Sequence, residues 1–531
     1  MTDTKSFHNP ILSGFYPDPS ICRVESDYYM VTSSFAYYPG IPVFHSKDLV
    51  HWEQIGHGIH RPKQLDYKDC ETSLGLWAPT IRYHKGKFYI INTFVSEGRE
   101  ARRDNYIITA DDPAGPWSDP IFIEHADGID SSIFFDDDGT VWYAGNFIQD
   151  PLLYEGHHGI YLCQLDPETF QFTGKRTIIW DGIKTMSKWI EAPHIYKENG
   201  WYYLMVAEGG TFYNHSVMIA RCKTIDGDYE ICPRNPIVSH RHMPFTSPIS
   251  VVGHGDLIET QNHEWWMVLL GVRPYTCDNT EKPFYHNLGR ETFLVPMTWD
   301  QDGWPRIDNP DGMIHEWERK PDLLETVYPA INPMDSFDSP ALSMQWNTIH
   351  PPKEPFYSLT DNPGCLRLYL KPQTMEEICT PAFVGRRQQH MDFQVTTAMC
   401  FTPSSPGEEA GLSLVQDDRY HYHFLLGHSE GQTVLRLIEV KHSEIRLLKE
   451  MPVSGTSLYL TVRGTRTHYD FYYSSSPDQY TLFYQGADAS LLSSTVNEGF
   501  TGTYIGMYAT SHHTDTCNYA DYRWFSYVPL G

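Results

Sequence analysis

Several features are missing from this chain, and each absence narrows what it can be. The opening "MTDTKSFHNPILSGFYPDPS" lacks a basic stretch followed by an apolar one, so no secretory leader is expected there. No run of 18 apolar residues occurs, so no helical membrane span is expected. The ten cysteines lie scattered from Cys22 to Cys517 without a Cys-x-x-Cys pair, which argues against a disulfide framework and against structural zinc. Basic residues are few: 40 Lys and Arg stand against 67 Asp and Glu, a net charge of -27. Nucleic acid and anionic membrane surfaces are therefore poor partners, and a neutral or cationic one is easier to accommodate. Charged residues are only 20% of the chain, too few for long disordered segments. The expectation is a folded, free-thiol, cytoplasmic protein.

Long stretches of helical period are also scarce. In their place are short apolar and aromatic runs broken by Gly, Pro, Asn and Asp, an all-β texture. Five segments align: "PDPSICRVESDYYMV", "WAPTIRYHKGKFYII", "DSSIFFDDDGTVWYA", "EAPHIYKENGWYYLM" and "HGDLIETQNHEWWMV". Each has an apolar anchor (Ile21, Ile81, Ile133, Ile195, Leu257), a polar turn and an aromatic pair. The anchors recur every 52 to 62 residues, the length of a four-stranded propeller blade with its loops. The pattern predicts a five-bladed β-propeller over residues 1–310. A proline-rich linker follows over 311–335, and then longer alternating strands over 336–531 predict a β-sandwich. The run Asp136-Asp137-Asp138-Gly139 lacks the spacing of a calcium loop and reads as a turn.

The innermost strand of each propeller blade lines the central channel, so equivalent positions converge. Three or four residues before the anchors stand Asp18, the Trp77-Ala78 pair, Asp130, Glu191 and His254. Three of the five positions carry a carboxylate, and prolines flank Asp18 as if its direction mattered. Three uses are open at this point. Glycoside hydrolysis needs one protonated and one ionised carboxyl group, with a third charge to split their proton affinities. In that scheme Glu191, in its apolar setting, is the acid, Asp18 the base, and Asp130 the group that orients and tunes. A metal site built from Asp18, Asp130, Glu191 and His254 lacks any familiar ligand spacing; no cofactor is required, but a structural Ca²⁺ in the channel near His254 fits the composition. A non-catalytic, sugar-binding propeller would use the aromatics but leave three acids unexplained.

The motifs "GFYPDPSI", "LWAPTI", "GIDSSIF", "WIEAPHIY", "AEGGTFY", "GHGDLIE" and "NLGRE", in this order, resemble glycoside hydrolase family 43. The likeness is nearest to its two-domain β-xylosidases and α-L-arabinofuranosidases. It continues into the second half through "AGLSLVQDDRYHYHF" and "GFTGTYIGM". The resemblance implies an inverting exo-hydrolase that releases terminal pentose from short oligosaccharides, xylose or arabinofuranose. It assigns base, modulator and acid to Asp18, Asp130 and Glu191. It also implies Arg290 as a binder of sugar hydroxyls, Trp77 and Phe35 as pocket walls, and Thr211 as a hydroxyl near the acid. Phe500 is implied as an aromatic inserted by the sandwich over the pocket; His254 enters as a binding residue only. The resemblance favours a homo-oligomer. The basic segment "VSEGREARRDNYIIT" is expected as a loop at the pocket rim.

Overall fold

The computed structural model describes residues 5–67, 70–97, 101–277, 281–477 and 479–530. Consecutive antiparallel sheets fill its first part. Ser20–Val24, Asp27–Val31, Gly40–Ser46 and Glu53–Ile59 form the first, each strand pairing with the next. The second is Gly75–His84, Lys87–Ser96, Arg102–Ala110 and Ile121–Phe122. Ser132–Phe135, Val141–Ile148, His158–Leu165 and Thr177–Asp181 make the third. Glu191–Glu198, Trp201–Glu208, Ser216–Cys222 and Glu230–Ile231 make the fourth, with Val238–Ser239 added on the third of these strands. Ser250–Glu259, Trp265–Val272, Glu291–Trp299 and Pro305–Ile307 complete the fifth.

The sequence repeat explains this order. Each apolar anchor lies on the first strand of its sheet and is buried, and each aromatic pair falls on the second strand. The turns between them need left-handed backbone: Gly86, Gly139 and Gly200 have φ of +83°, +89° and +72°, which glycine adopts without steric cost. The Asp136–Gly139 run is one of these turns. The Asp136 carboxylate accepts from Lys197 Nζ and Tyr202 OH, both at 2.7 Å, and so ties the third sheet to the fourth. First strands also pack on one another. Ser20–Val24 meets both Gly75–His84 and Ser250–Glu259, while Ser132–Phe135 meets Gly75–His84 and Glu191–Glu198. Ser250–Glu259 packs on the second and third strands of the fourth sheet, so the contacts return to the first.

The second part is a β-sandwich. One sheet carries Leu366–Tyr369, Tyr519–Pro529, Phe393–Cys400, Ser457–Gly464, His468–Ser474 and Thr481–Asp488. The other runs Ala382–Arg387, Tyr504–Thr510, Glu409–Asp417, Tyr420–Ser429, Gln432–Lys441 and Glu444–Pro452. Val395, Leu412, Phe424, Leu460, Phe471 and Met507 pack in the core between them.

Two expectations change. The 311–335 connector is tied down by strand pairing: Trp317–Arg319 pairs with Ser6–His8, and Met334–Asp335 pairs with Tyr519–Pro529. The basic rim loop is largely a hairpin, with Ser96 opposite Arg102, because its alternating residues pair along the second sheet; residues 98–100 lie outside the described residues. The two parts also join through strand pairing and a side-chain hydrogen bond. Thr348–Ile349 pairs with Tyr37–Tyr38, and Arg387 Nε donates to the Phe15 carbonyl at 2.7 Å. An apolar cluster that includes Phe15, Phe35, Tyr37, Phe383, Tyr504 and Tyr508 seals this junction, with Trp77 and Phe500 packed on it.

Candidate active site

The starts of the first strands share an unusual backbone. Asp18, Asp130 and His254, each three residues before its anchor, have φ of +54°, +54° and +48°. Ala192, which follows Glu191 at the same repeat position, has φ of +52°. Left-handed conformation costs a non-glycine residue roughly 1–2 kcal/mol, so its recurrence marks a position where the chain is bent for a purpose. Register breaks fall at the same place: between Leu76 and Pro79, between Glu191 and His194, and on both sides of Gly253. Such bulges re-aim side chains that a regular strand would alternate away.

Their effect is convergence. All nine residues expected from the sequence (Asp18, Phe35, Trp77, Asp130, Glu191, Thr211, His254, Arg290 and Phe500) line one cavity of about 220 Å³. Trp189, Phe212, Ile129 and His215 line it too and were not anticipated, although the first three sit inside the quoted motifs "WIEAPHIY", "AEGGTFY" and "GIDSSIF". Ser33, also unanticipated, had no motif to reveal it.

Asp18 is buried and held from two sides. Arg290 Nη1 donates to its Oδ1 at 2.6 Å, and Ser33 Oγ donates to Oδ2 at 2.5 Å. His254 Nδ1 stands 3.8 Å from the same Oδ1. Arg290 also donates to Thr211 Oγ1 at 3.4 Å and to the Phe500 carbonyl at 3.3 Å. Burial, and then the charge of Asp18, push the Glu191 carboxyl up to about 8, with Arg290 partly offsetting them. Burial raises Asp130 well above the ordinary carboxylate range, and the charges of Glu191 and Asp18 add to it. His254 and His215 move the other way. Burial lowers both, and His215, with His254 beside it, falls to about 3.

The walls are aromatic. Phe35 and Phe500 stack with ring centroids 6.2 Å apart, and Trp77 meets Phe500 edge-on at 5.5 Å. The guanidinium of Arg290 lies 5.5 Å from the Phe35 ring and 5.8 Å from that of Phe500. Phe500 is fixed from the first part by Ser73 Oγ, which accepts its backbone N–H at 3.0 Å.

Next along the same strands, Asp256 accepts from Ser20 Oγ at 2.7 Å, Tyr196 OH at 2.6 Å and Arg82 Nη1 at 2.8 Å. Arg82 Nη2 lies 2.9 Å from His194 Nδ1. These contacts bear on the expected calcium near His254. Calcium takes six to eight oxygen ligands. The two carboxylates that act on His254, Asp18 and Asp256, are already engaged by Arg290 and Arg82, so this donor set does not fit a calcium ion.

Residues 7–305 match the family described as Glycosyl hydrolases family 43, and residues 334–528 match the Beta xylosidase C-terminal Concanavalin A-like domain. A xylosidase/arabinosidase of Butyrivibrio fibrisolvens is 39% identical over 98% of this chain and 98% of its own. A non-reducing end alpha-L-arabinofuranosidase of Bacteroides ovatus is 38% identical over 98% and 95%. The crystal structure of the GH43 protein BlXynB from Bacillus licheniformis superposes with a TM-score of 0.91 at 36% identity, covering 99% of this chain and all of that one. The chain belongs to glycosyl hydrolase family 43 and is a glycosidase acting on oligosaccharide.

Proposed function

We propose that the enzyme is an inverting exo-glycosidase that removes single pentose units, β-D-xylose and α-L-arabinofuranose, from the non-reducing ends of short oligosaccharides. The observation that carries this reading is the meeting of three carboxylates and one arginine in a small pocket closed by a phenylalanine of the sandwich. At about 220 Å³ the pocket lies below the ~300–1,000 Å³ common for ligand sites, a size suited to one sugar ring. The names of the relatives support a pentose. The cyclic packing of the five sheets supports a five-bladed propeller over 1–310, with 336–531 completing the pocket from the sandwich side.

In this mechanism Asp18, held in place by Arg290 and Ser33, takes a proton from water as the water oxygen attacks the anomeric carbon. Glu191 gives its proton to the glycosidic oxygen as the carbon–oxygen bond breaks, so the sugar leaves with inverted configuration. Asp130 and Glu191 resist simultaneous ionisation in their buried setting, which keeps a proton on the pair at neutral pH. Arg290 and Thr211 bind ring hydroxyls, and Phe35, Trp77 and Phe500 pack on the sugar.

Proton NMR of the first minutes of hydrolysis tests this with aryl β-D-xylopyranoside and aryl α-L-arabinofuranoside as substrates. The expected first product is the opposite anomer from each. A retained anomer would overturn the roles of Asp18 and Glu191, and no release from either would overturn the pentose assignment.

A further inference from the structure

Away from the pocket, the sandwich gathers Glu376, His421 and His423. The two histidines are two residues apart on Tyr420–Ser429 and therefore face the same side of the sheet; both are buried. Glu376 reaches them from the segment that joins Leu366–Tyr369 to Ala382–Arg387. Its Oε1 lies 3.2 Å from His421 Nε2 and 3.6 Å from His423 Nε2.

The other ring nitrogens are already engaged. His421 Nδ1 donates to the Asp417 carbonyl at 3.1 Å, and His423 Nδ1 is 2.7 Å from Ser413 Oγ. A carbonyl can only accept, so the His421 hydrogen sits on Nδ1, and a neutral His421 turns its Nε2 lone pair toward a carboxylate oxygen. His423 Nε2 is buried without a hydrogen-bond partner. Two imidazole nitrogens and a carboxylate oxygen thus converge on a space that favours a cation. Imidazole ligands whose far nitrogens are fixed by hydrogen bonds are the usual outer arrangement of a metal site. With metal–ligand bonds of about 2.0–2.1 Å, neighbouring ligands of a tetrahedral ion lie roughly 3.3 Å apart, close to the two spacings seen here.

We propose that Glu376, His421 and His423 form a structural site for a divalent transition ion of the zinc class. Histidine ligation disfavours calcium and magnesium. The scarcity of paired cysteines concealed such a site, because its ligands are histidines on a strand. The ion would pin the Glu376 segment against the sandwich sheet, close to the junction with the first part. There the two ring nitrogens of His350 each lie 2.7 Å from a carbonyl oxygen, one of Cys379 and one of Cys70. It would also stiffen the pocket wall through Asp417, whose carboxylate accepts from Asn497 Nδ2 at 2.7 Å, three residues before Phe500.

The test titrates chelator-treated full-length enzyme with ZnCl₂ by calorimetry, and with CoCl₂ by visible absorption. Wild type should bind one equivalent at micromolar affinity or tighter, show the absorption of tetrahedral cobalt and melt at a higher temperature with zinc. Glu376→Gln and His423→Gln, checked for native circular dichroism, should lose the cobalt band and the thermal shift while still hydrolysing aryl glycoside. Glu376→Gln keeps the shape of a partly exposed side chain, so the test survives a His423 variant that fails to fold. No binding by wild type, or equal binding by the folded variants, would overturn the site and leave a proton as the bridging cation.

Discussion

Two layers of polar side chains are built from the same first strands, and they treat charge in opposite ways. In the layer of Asp256, Ser20, Arg82 and Tyr196, one carboxylate meets one guanidinium and two hydroxyls. Burial alone would raise the Asp256 carboxyl, but Arg82, His194 and Tyr196 more than offset it and hold the group well below the usual carboxylate range. In the pocket layer, three carboxylates share one arginine, and Asp18 takes its shortest contact. Glu191 and Asp130 are left to resolve the excess by holding protons. Similar burial therefore gives a permanently charged strut in one layer and an acid in the other. The deciding quantity is the local ratio of cations to carboxylates.

The sharpest way to break this contrast is Glu191→Gln. Loss of the proton donor should lower kcat/KM by ~10²–10⁴-fold on unactivated oligosaccharide, and by much less on aryl glycosides with good leaving groups. Initial rates on the two substrate types check this, and equal losses would remove Glu191 from the role. The wild-type rate on oligosaccharide should also fall as pH rises past about 8, where Glu191 gives up its proton.

Asp256→Asn probes the balanced layer. It leaves Arg82 buried without its partner, which should cost about 3–5 kcal/mol in denaturant unfolding. The sign with pH follows from the lowered carboxyl. The stabilisation is fully present above its unfolded value of 3.8 and is lost as pH falls, so wild type and variant should converge in acid. A gap that stayed constant with pH would mean that packing, not charge, is what Asp256 supplies. The smallest effect is expected from Phe500→Ala. Losing one wall ring should weaken sugar binding by about 0.5–1.5 kcal/mol, seen as a roughly two- to thirteen-fold rise in KM.

Much of this is legible in the sequence alone, because the repeat carries positional information. A residue three or four places before each anchor must face the same axis if the anchors are equivalent, and Asp18, Asp130, Glu191 and His254 all reach one cavity. Periodicity could not point to groups outside the repeat. Arg290 and Phe500 are 210 residues apart yet hydrogen-bonded, and they could be anticipated only through family likeness. Ser33 and His215 carry no local signal at all. The pairing of Arg82 with Asp256 spans 174 residues, and no spacing rule links them. The calcium expectation could not weigh these pairings, since no spacing shows that Asp18 and Asp256 are engaged by Arg290 and Arg82.

The amino-acid sequence by itself determined the all-β texture, the fivefold sequence repeat and which side chains of that repeat meet in one cavity, because alternation and turn chemistry are local properties of the chain. Only the tertiary structure decided which buried carboxyl groups hold a proton, as Glu191 and Asp130 do, and which, like Asp256, stay charged. A proton affinity depends on burial and on charges a few ångströms away, and those neighbours come from segments the chain brings together only when it folds.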